Sequence, residues 1–152
     1  MNFKLLSGGG LRGTALVAEY VDVAFLNVQG ATITLGLPVA FTTTAASLDG
    51  AQAVLPAASQ TRTMCGVAIR TVPNNGIGFA RSYGYLASVA IYAHGTSVTI
   101  AVDSPLGASP SSLGLSSTGL ITAGAAVAVA LEAAGAAVCS PGGYIRAFIR
   151  GM

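Results

Sequence analysis

Ionised side chains are scarce in this chain. Seven Lys and Arg with five Asp and Glu make twelve charges in 152 residues, or 8% of the sequence; an ordinary soluble domain carries about 25%. A folded monomer of this size exposes on the order of 7,000 Å². Each charge is then separated from the next by about 600 Å² of surface, filled mainly by Ala, Gly, Ser, Thr and Val. Apolar surface on that scale marks a face that another macromolecule covers. The shortage points to a component of an assembly before it points to a chemistry.

Runs of basic residues are lacking as well. Lys4, Arg12, Arg62, Arg70, Arg81, Arg146 and Arg150 are scattered and the net charge is only +2, so nucleic acid is not an expected partner. Six of the seven are Arg, whose planar fork makes bidentate pairs while partly buried and suits interfaces. Sustained apolar runs are missing too, although mean hydropathy is +0.71. The uncharged stretch from Ser104 to Leu131 is broken by Pro105, Gly107, Pro110, Gly114, Gly119 and Gly124. Val23 to Leu48 is broken by Gly30, Gly36, Pro38 and several Thr. No spanning helix and no membrane partner are expected. After Lys4 the chain reads Leu5-Leu6-Ser7-Gly8-Gly9-Gly10, without the apolar region of a secretory signal, which predicts folding in a cytoplasm. There Cys65 and Cys139 are small buried hydrophobes, with a disulfide between them as the alternative if the protein matures outside a cell.

The residues for catalysis are equally thin. His94 is the only histidine and precedes Gly95 in a turn-like position, while C-x-x-C and Gly-x-Ser-x-Gly are both absent. Neither a zinc cluster nor a hydrolytic triad is therefore expected. Gly8 to Gly13 has G-x-x-x-x-G spacing but lacks the Lys-Ser/Thr that reaches phosphates. A glycosidase pair would have to come from Glu19, Asp22, Asp49, Asp103 and Glu132. Asp49 and Asp103 read as turn residues, and Glu132 stands where Arg70 stands in the other half of the chain. The expectation there is a structural pair of opposite charges, within the fold or between subunits. The chain reads as a non-enzyme without cofactor or metal.

What is present is strand pattern, apparently twice over. At an offset of 65, Gly30-Ala31-Thr32-Ile33-Thr34-Leu35 meets Gly95-Thr96-Ser97-Val98-Thr99-Ile100, and Gly78-Phe79-Ala80-Arg81 meets Gly143-Tyr144-Ile145-Arg146. Gly66 to Arg70 resembles Ala128 to Glu132, with the register shifted by three. Such recurrence implies a duplicated unit. Alternation in Thr32–Leu35 and Ser97–Val102 predicts strands, as does the aromatic and β-branched content of Arg81–Leu86 and Tyr144–Arg150. In the last of these, Tyr144, Arg146, Phe148 and Arg150 share one face. The Ala-rich stretch from Ala123 to Ala137 is read as strand, because Gly124 and Gly135 interrupt it and Val127 to Leu131 alternate. Pro73-Asn74-Asn75-Gly76, Asp49-Gly50, His94-Gly95 and Ser140-Pro141-Gly142-Gly143 supply turns. The predicted fold is all-β: a small β-barrel or sandwich built from two repeated β units, with an extended N-terminal arm. Residues 1–27 form the arm and first strand, 28–92 the first unit and 93–152 the second, packed as one domain.

Several segments also carry a likeness to known proteins. They are Gly84 to Val89, Ser97 to Gly107 with Asp103-Ser104-Pro105-Leu106, Ala126 to Ala134 with Ala130-Leu131-Glu132-Ala133, and the closing Tyr144 to Met152 with Arg146-Ala147-Phe148-Ile149-Arg150. In that order they resemble the small capsid-associated proteins of tailed bacteriophages, over roughly residues 65 to 152. The leading arm and the doubled unit depart from the shorter family members. The resemblance implies a capsid decoration, or cement, protein: a β-rich homotrimer on the virion surface, made in the host bacterial cytoplasm. Its partners would be the major capsid protein and further copies of itself. Phe3, Lys4, Arg12, Arg81 and Arg146 are the expected contact residues. Two alternatives stand beside it. One is a virion fibre or adhesion module whose Tyr83, Tyr85, Tyr92 and Tyr144 meet host glycans; the other is a small β-barrel associated with a membrane.

Overall fold

Short runs of β-branched, aromatic and small residues pair edge to edge, and no α-helix occurs among the described residues. The computed structural model describes residues 19–42, 52–56, 63–92, 99–108, 114–117, 126–135, 138–139 and 143–150. These form nine strands: β1 (Val21–Asn27), β2 (Pro38–Phe41), β3 (Gln52–Val54), β4 (Met64–Ala68), β5 (Ile77–Ile91), β6 (Pro105–Ala108), β7 (Leu115–Ser116), β8 (Ala128–Ala130) and β9 (Gly143–Arg150). All belong to one sheet, ordered β1-β3-β2-β4-β5-β7-β6-β8-β9, and extra pairings β1–β5 and β5–β9 bring it back on itself as a partly closed ring. The all-β expectation is met.

β5 is the axis of this arrangement. Its 15 residues divide between two antiparallel partners, residues 77–83 lying along β1 and residues 83–91 along β9. β4 pairs with it at Ala80 and Arg81, and β7 runs parallel to it at Ile91. Alternation along the strand places Ile77, Phe79, Tyr83 and Tyr85 outward and Gly78, Ala80 and Gly84 inward. β9 keeps the period more strictly. Ile145, Ala147 and Ile149 are buried, while Tyr144, Arg146 and Arg150 are exposed and Phe148 half-buried, as the sequence pattern predicts.

The interior holds two clusters. Val89, Ile91, Ile100, Leu106, Leu115, Ile145 and Ile149 anchor one; Phe25, Ile33, Val39, Val72 and Ala80 anchor the other. β4 is buried along its whole length and serves both: Met64 and Val67 belong to the first cluster, Cys65 and Ala68 to the second. A bulge between Val39 and Ala40 in the β2 register allows this, since Val39 faces Gly66 and Ala40 faces Met64. Gly66 has φ +151, and a Cβ there would run into the Arg81 carbonyl. Glycine lets β4 lie this close to β5. Both cysteines are buried free thiols, one in each cluster.

Asn27 is a fully buried polar residue at the end of β1. Its Nδ2 donates to Ala31 O, Val72 O and Pro73 O at 2.8–3.1 Å, and its Oδ1 accepts from Gln29 N. Its backbone also donates to Gly76 O and accepts from Asn75 N. The Pro73–Gly76 segment, predicted as a turn, is one: Gly76 N donates to Pro73 O, and Asn75 takes φ +59. The segment Thr32–Leu35 differs from expectation. Only Ile33 is buried there, held to Val72 by an isolated two-bond bridge, and Leu35–Gly36 turns away. Ile100 repeats this arrangement with Ala134, just before the turn at Val102–Asp103. In Thr32–Leu35 the alternation reflects one anchored isoleucine in place of a paired strand, and Thr99–Val102 shows the same; Ser97 and Val98 lie outside the described residues. Of Ala123–Ala137 the structure describes residues 126–135, and there β8 and the bridge at Ala134 are the ladder-paired residues.

Candidate functional site

The outward face of β1, β5 and β9 is the candidate. Antiparallel registry sets Val21 and Arg150 both opposite Tyr83, Ala24 opposite Phe79, and Phe148 opposite Tyr85. The resulting surface exposes Tyr20, Val21, Ile77, Phe79, Tyr83, Tyr85 and Tyr144. Tyr83 meets Phe148 edge to face with ring centroids 5.2 Å apart, a favoured aromatic geometry. Large rings with few rotatable bonds lose little entropy on being covered, and such residues anchor protein interfaces.

Charges on this face are mostly committed within the chain. Arg81 Nε and Nη2 donate to Asp22 Oδ1 and Oδ2 at 2.8 and 3.1 Å, and Nη1 donates to Tyr85 O at 2.7 Å. The same guanidinium lies 4.3 Å from the centroid of Tyr20. The bond to Asp22 pushes the Arg81 pKa up further. Arg146 Nε donates to Glu132 Oε2 at 2.8 Å while its backbone N donates to Oε1 at 2.7 Å. That backbone N–H, followed by the guanidinium, holds the Glu132 carboxyl below its usual range. Within the chain the expected pair of Glu132 with Arg70 does not form: Glu132 is taken by Arg146, and Arg70 lies over the ring of Phe79 at 5.2 Å.

Of the expected contact residues, Arg81 and Arg146 fall on this face, the first well covered and the second exposed. Phe3, Lys4 and Arg12 lie outside the described residues, as do His94 and Asp49. Tyr83, Tyr85 and Tyr144 gather on the same face; Tyr92 follows β5 and is half-buried. Asp103 sits in an exposed turn at φ +65. Among the described residues no three His, Cys, Asp or Glu side chains come together as a metal site, and no helix is long and apolar enough to cross a membrane. Ile77 and Phe79 were not singled out from sequence, although the alternation Ile77-Gly78-Phe79-Ala80 carries their signal. Chemically, such a surface offers area and aromatic anchors with little net charge. No protein-family model matches the chain, and no curated protein matches it in sequence.

Proposed function

We propose that this protein decorates the head of a tailed bacteriophage, as a homotrimeric cement that binds the assembled capsid and bridges neighbouring capsid subunits. The observation that carries the reading is the β1/β5/β9 face, where seven exposed apolar or aromatic residues surround arginines already engaged inside the chain. The phage assignment comes from the sequence resemblance. A ligand that prefers the expanded shell stabilises it by mass action, and many copies multiply modest contacts. Emptied, expanded phage heads should carry the purified protein down on sedimentation at micromolar concentration. Binding should change little with added salt, since few free charges are available to screen. Failure to co-sediment would remove the assignment. Removing residues 1–12 tests the arm separately: weaker binding is expected, and unchanged binding eliminates the arm as a contact.

We infer also that the chain is two copies of one five-strand unit sharing β5, each tending towards a closed barrel. The pairing circuit β1-β3-β2-β4-β5 returns to β1, and β5-β7-β6-β8-β9 returns to β5. Registers support the correspondence pair by pair. Pro38 opposite Val67 matches Pro105 opposite Val129, and Phe41 opposite Ala53 matches Ala108 opposite Leu115. Phe25 opposite Gly78 matches Val89 opposite Ile145. The bridge Ile33–Val72 matches Ile100–Ala134. This alignment lies two positions beyond the one read from sequence, so Arg81 corresponds to Phe148, and Phe79 to Arg146. Arg70 and Glu132 correspond as read.

Tyr83, Tyr85 and Tyr144 on one exposed face also favour a second reading, a fibre or adhesion module that stacks host glycans on its rings. Glycan-array binding abolished by Tyr85→Ser, with no capsid sedimentation, would select it.

A further inference from the structure

We propose that a second copy of this chain docks head to tail on the first, the Val102–Asp103 turn of one copy seating on the Ile77 end of the next. This rests on the two-unit reading and is independent of head binding. Inside the chain, the turn at Leu35–Gly36 is part of the joint between the halves. Gly36 O accepts from Ala90 N at 2.9 Å. A Cβ on Gly36 would stand 2.8 Å from Ser88 O and 3.0 Å from the Tyr144 ring. A turn of the first unit is thus seated on β5 and β9 of the second.

Under the correspondence, Leu35 and Gly36 become Val102 and Asp103, while Ala90 and Tyr144 become Leu26 and Ile77. The second unit therefore carries the same turn, and the first carries the counterpart of the seat at Ile77, with β3 standing at Leu26. Both are open. Val102 is 53% exposed where Leu35 is half-buried, and Ile77 is 71% exposed where Tyr144 is 42%. The backbone bond of the internal joint has no place between copies, because β3 pairs with β1 at Leu26. Side chains must make that contact.

Charge supplies a second, independent match. Asp103 and Arg70 have no ion-pair partner among the described residues. Arg70 lies over Phe79, which shares with Ile77 the outward face of β5. The turn thus brings a carboxylate to a seat flanked by a guanidinium that stacks on Phe79 and has no ion pair among the described residues. In the internal joint, glycine replaces the aspartate, and Arg146 beside Tyr144 is already neutralised by Glu132. The open ends are complementary to each other and not to themselves. That makes the contact heterologous, closing into a ring where the rotation permits.

Cysteine pairs and a short bis-maleimide test this in the full chain, whose own two thiols are buried. Val102→Cys with Ile77→Cys should link different copies into a ladder of multiples of 15.0 kDa. Leu35→Cys with Tyr144→Cys should link within one copy. An internal link without the ladder overturns the docking and leaves the two-unit reading standing; absence of both links overturns both. Light scattering gives the charge test. Arg70→Glu and Asp103→Arg should each weaken association at least tenfold, and the double variant should restore it. A double variant as weak as the singles overturns the proposed register.

Discussion

Asp22 and Arg81 stand opposite each other on β1 and β5, 59 positions apart in sequence, and are joined by two hydrogen bonds with both side chains less than a fifth exposed. The pair fastens β1 along the first half of β5. Removing one partner strands the other in a partly covered site. Arg81→Ala should therefore cost about 1.5–3 kcal/mol, read as a lower midpoint in urea, and Asp22→Asn somewhat less. A double variant close to either single alone would show that the pair acts as a unit.

Asn27 should be more sensitive than its size suggests. Three backbone carbonyls depend on its Nδ2, so Asn27→Ala should destabilise by about 2–3 kcal/mol. Asn27→Asp should be worse at neutral pH, because it sets a carboxylate against three carbonyl oxygens. Acidification that protonates it should recover part of the loss. Urea melts of both variants at two pH values would decide the matter.

Gly66→Ala is expected to be severe. The backbone strain at its positive φ costs about 1–3 kcal/mol, and the clash with the Arg81 carbonyl comes on top. Lower thermal stability, with the yield of folded protein reduced, is the expected outcome. A neutral result would contradict the close β4–β5 approach.

The thiols carry the pH prediction. Burial pushes Cys65 up to about 12 and raises Cys139 as well. Neither should react with a thiol-specific reagent at pH 8 until the protein unfolds. Because the folded value lies above the unfolded one, this contribution to stability is complete below about pH 8.5. It declines as pH rises from there towards about 12. Rapid labelling of the native protein would refute the buried placement of both groups.

Much of this architecture is legible in the residues, and the illegible parts have physical causes. Tyr144 to Arg150 alternates cleanly because one side of β9 packs on core and the other does not. Pro73 to Gly76 announces its turn through residue types that accept its dihedral angles. By contrast, β3 and β7 have three and two residues, too few for any period to register. β5 was readable only in pieces, since Gly84 in its middle looks like a break. Asn27, followed by Val28-Gln29-Gly30, has the look of a surface turn, and its burial depends on carbonyls 45 and 46 positions away. The candidate face suffers likewise: Tyr83 and Tyr85 are visible as aromatics, but only registry with β1 and β9 assembles them with Tyr20 and Phe148.

β5 has one further consequence. Because Ile77–Ile91 supplies a rail to both ladders and β4 lends side chains to both interiors, neither moiety owns a complete set of walls. Severing the polypeptide at Gly84 would leave two flawed remnants in place of two miniature proteins. Mechanical load entering at either end must cross that common rail, and the molecule should yield in a single step.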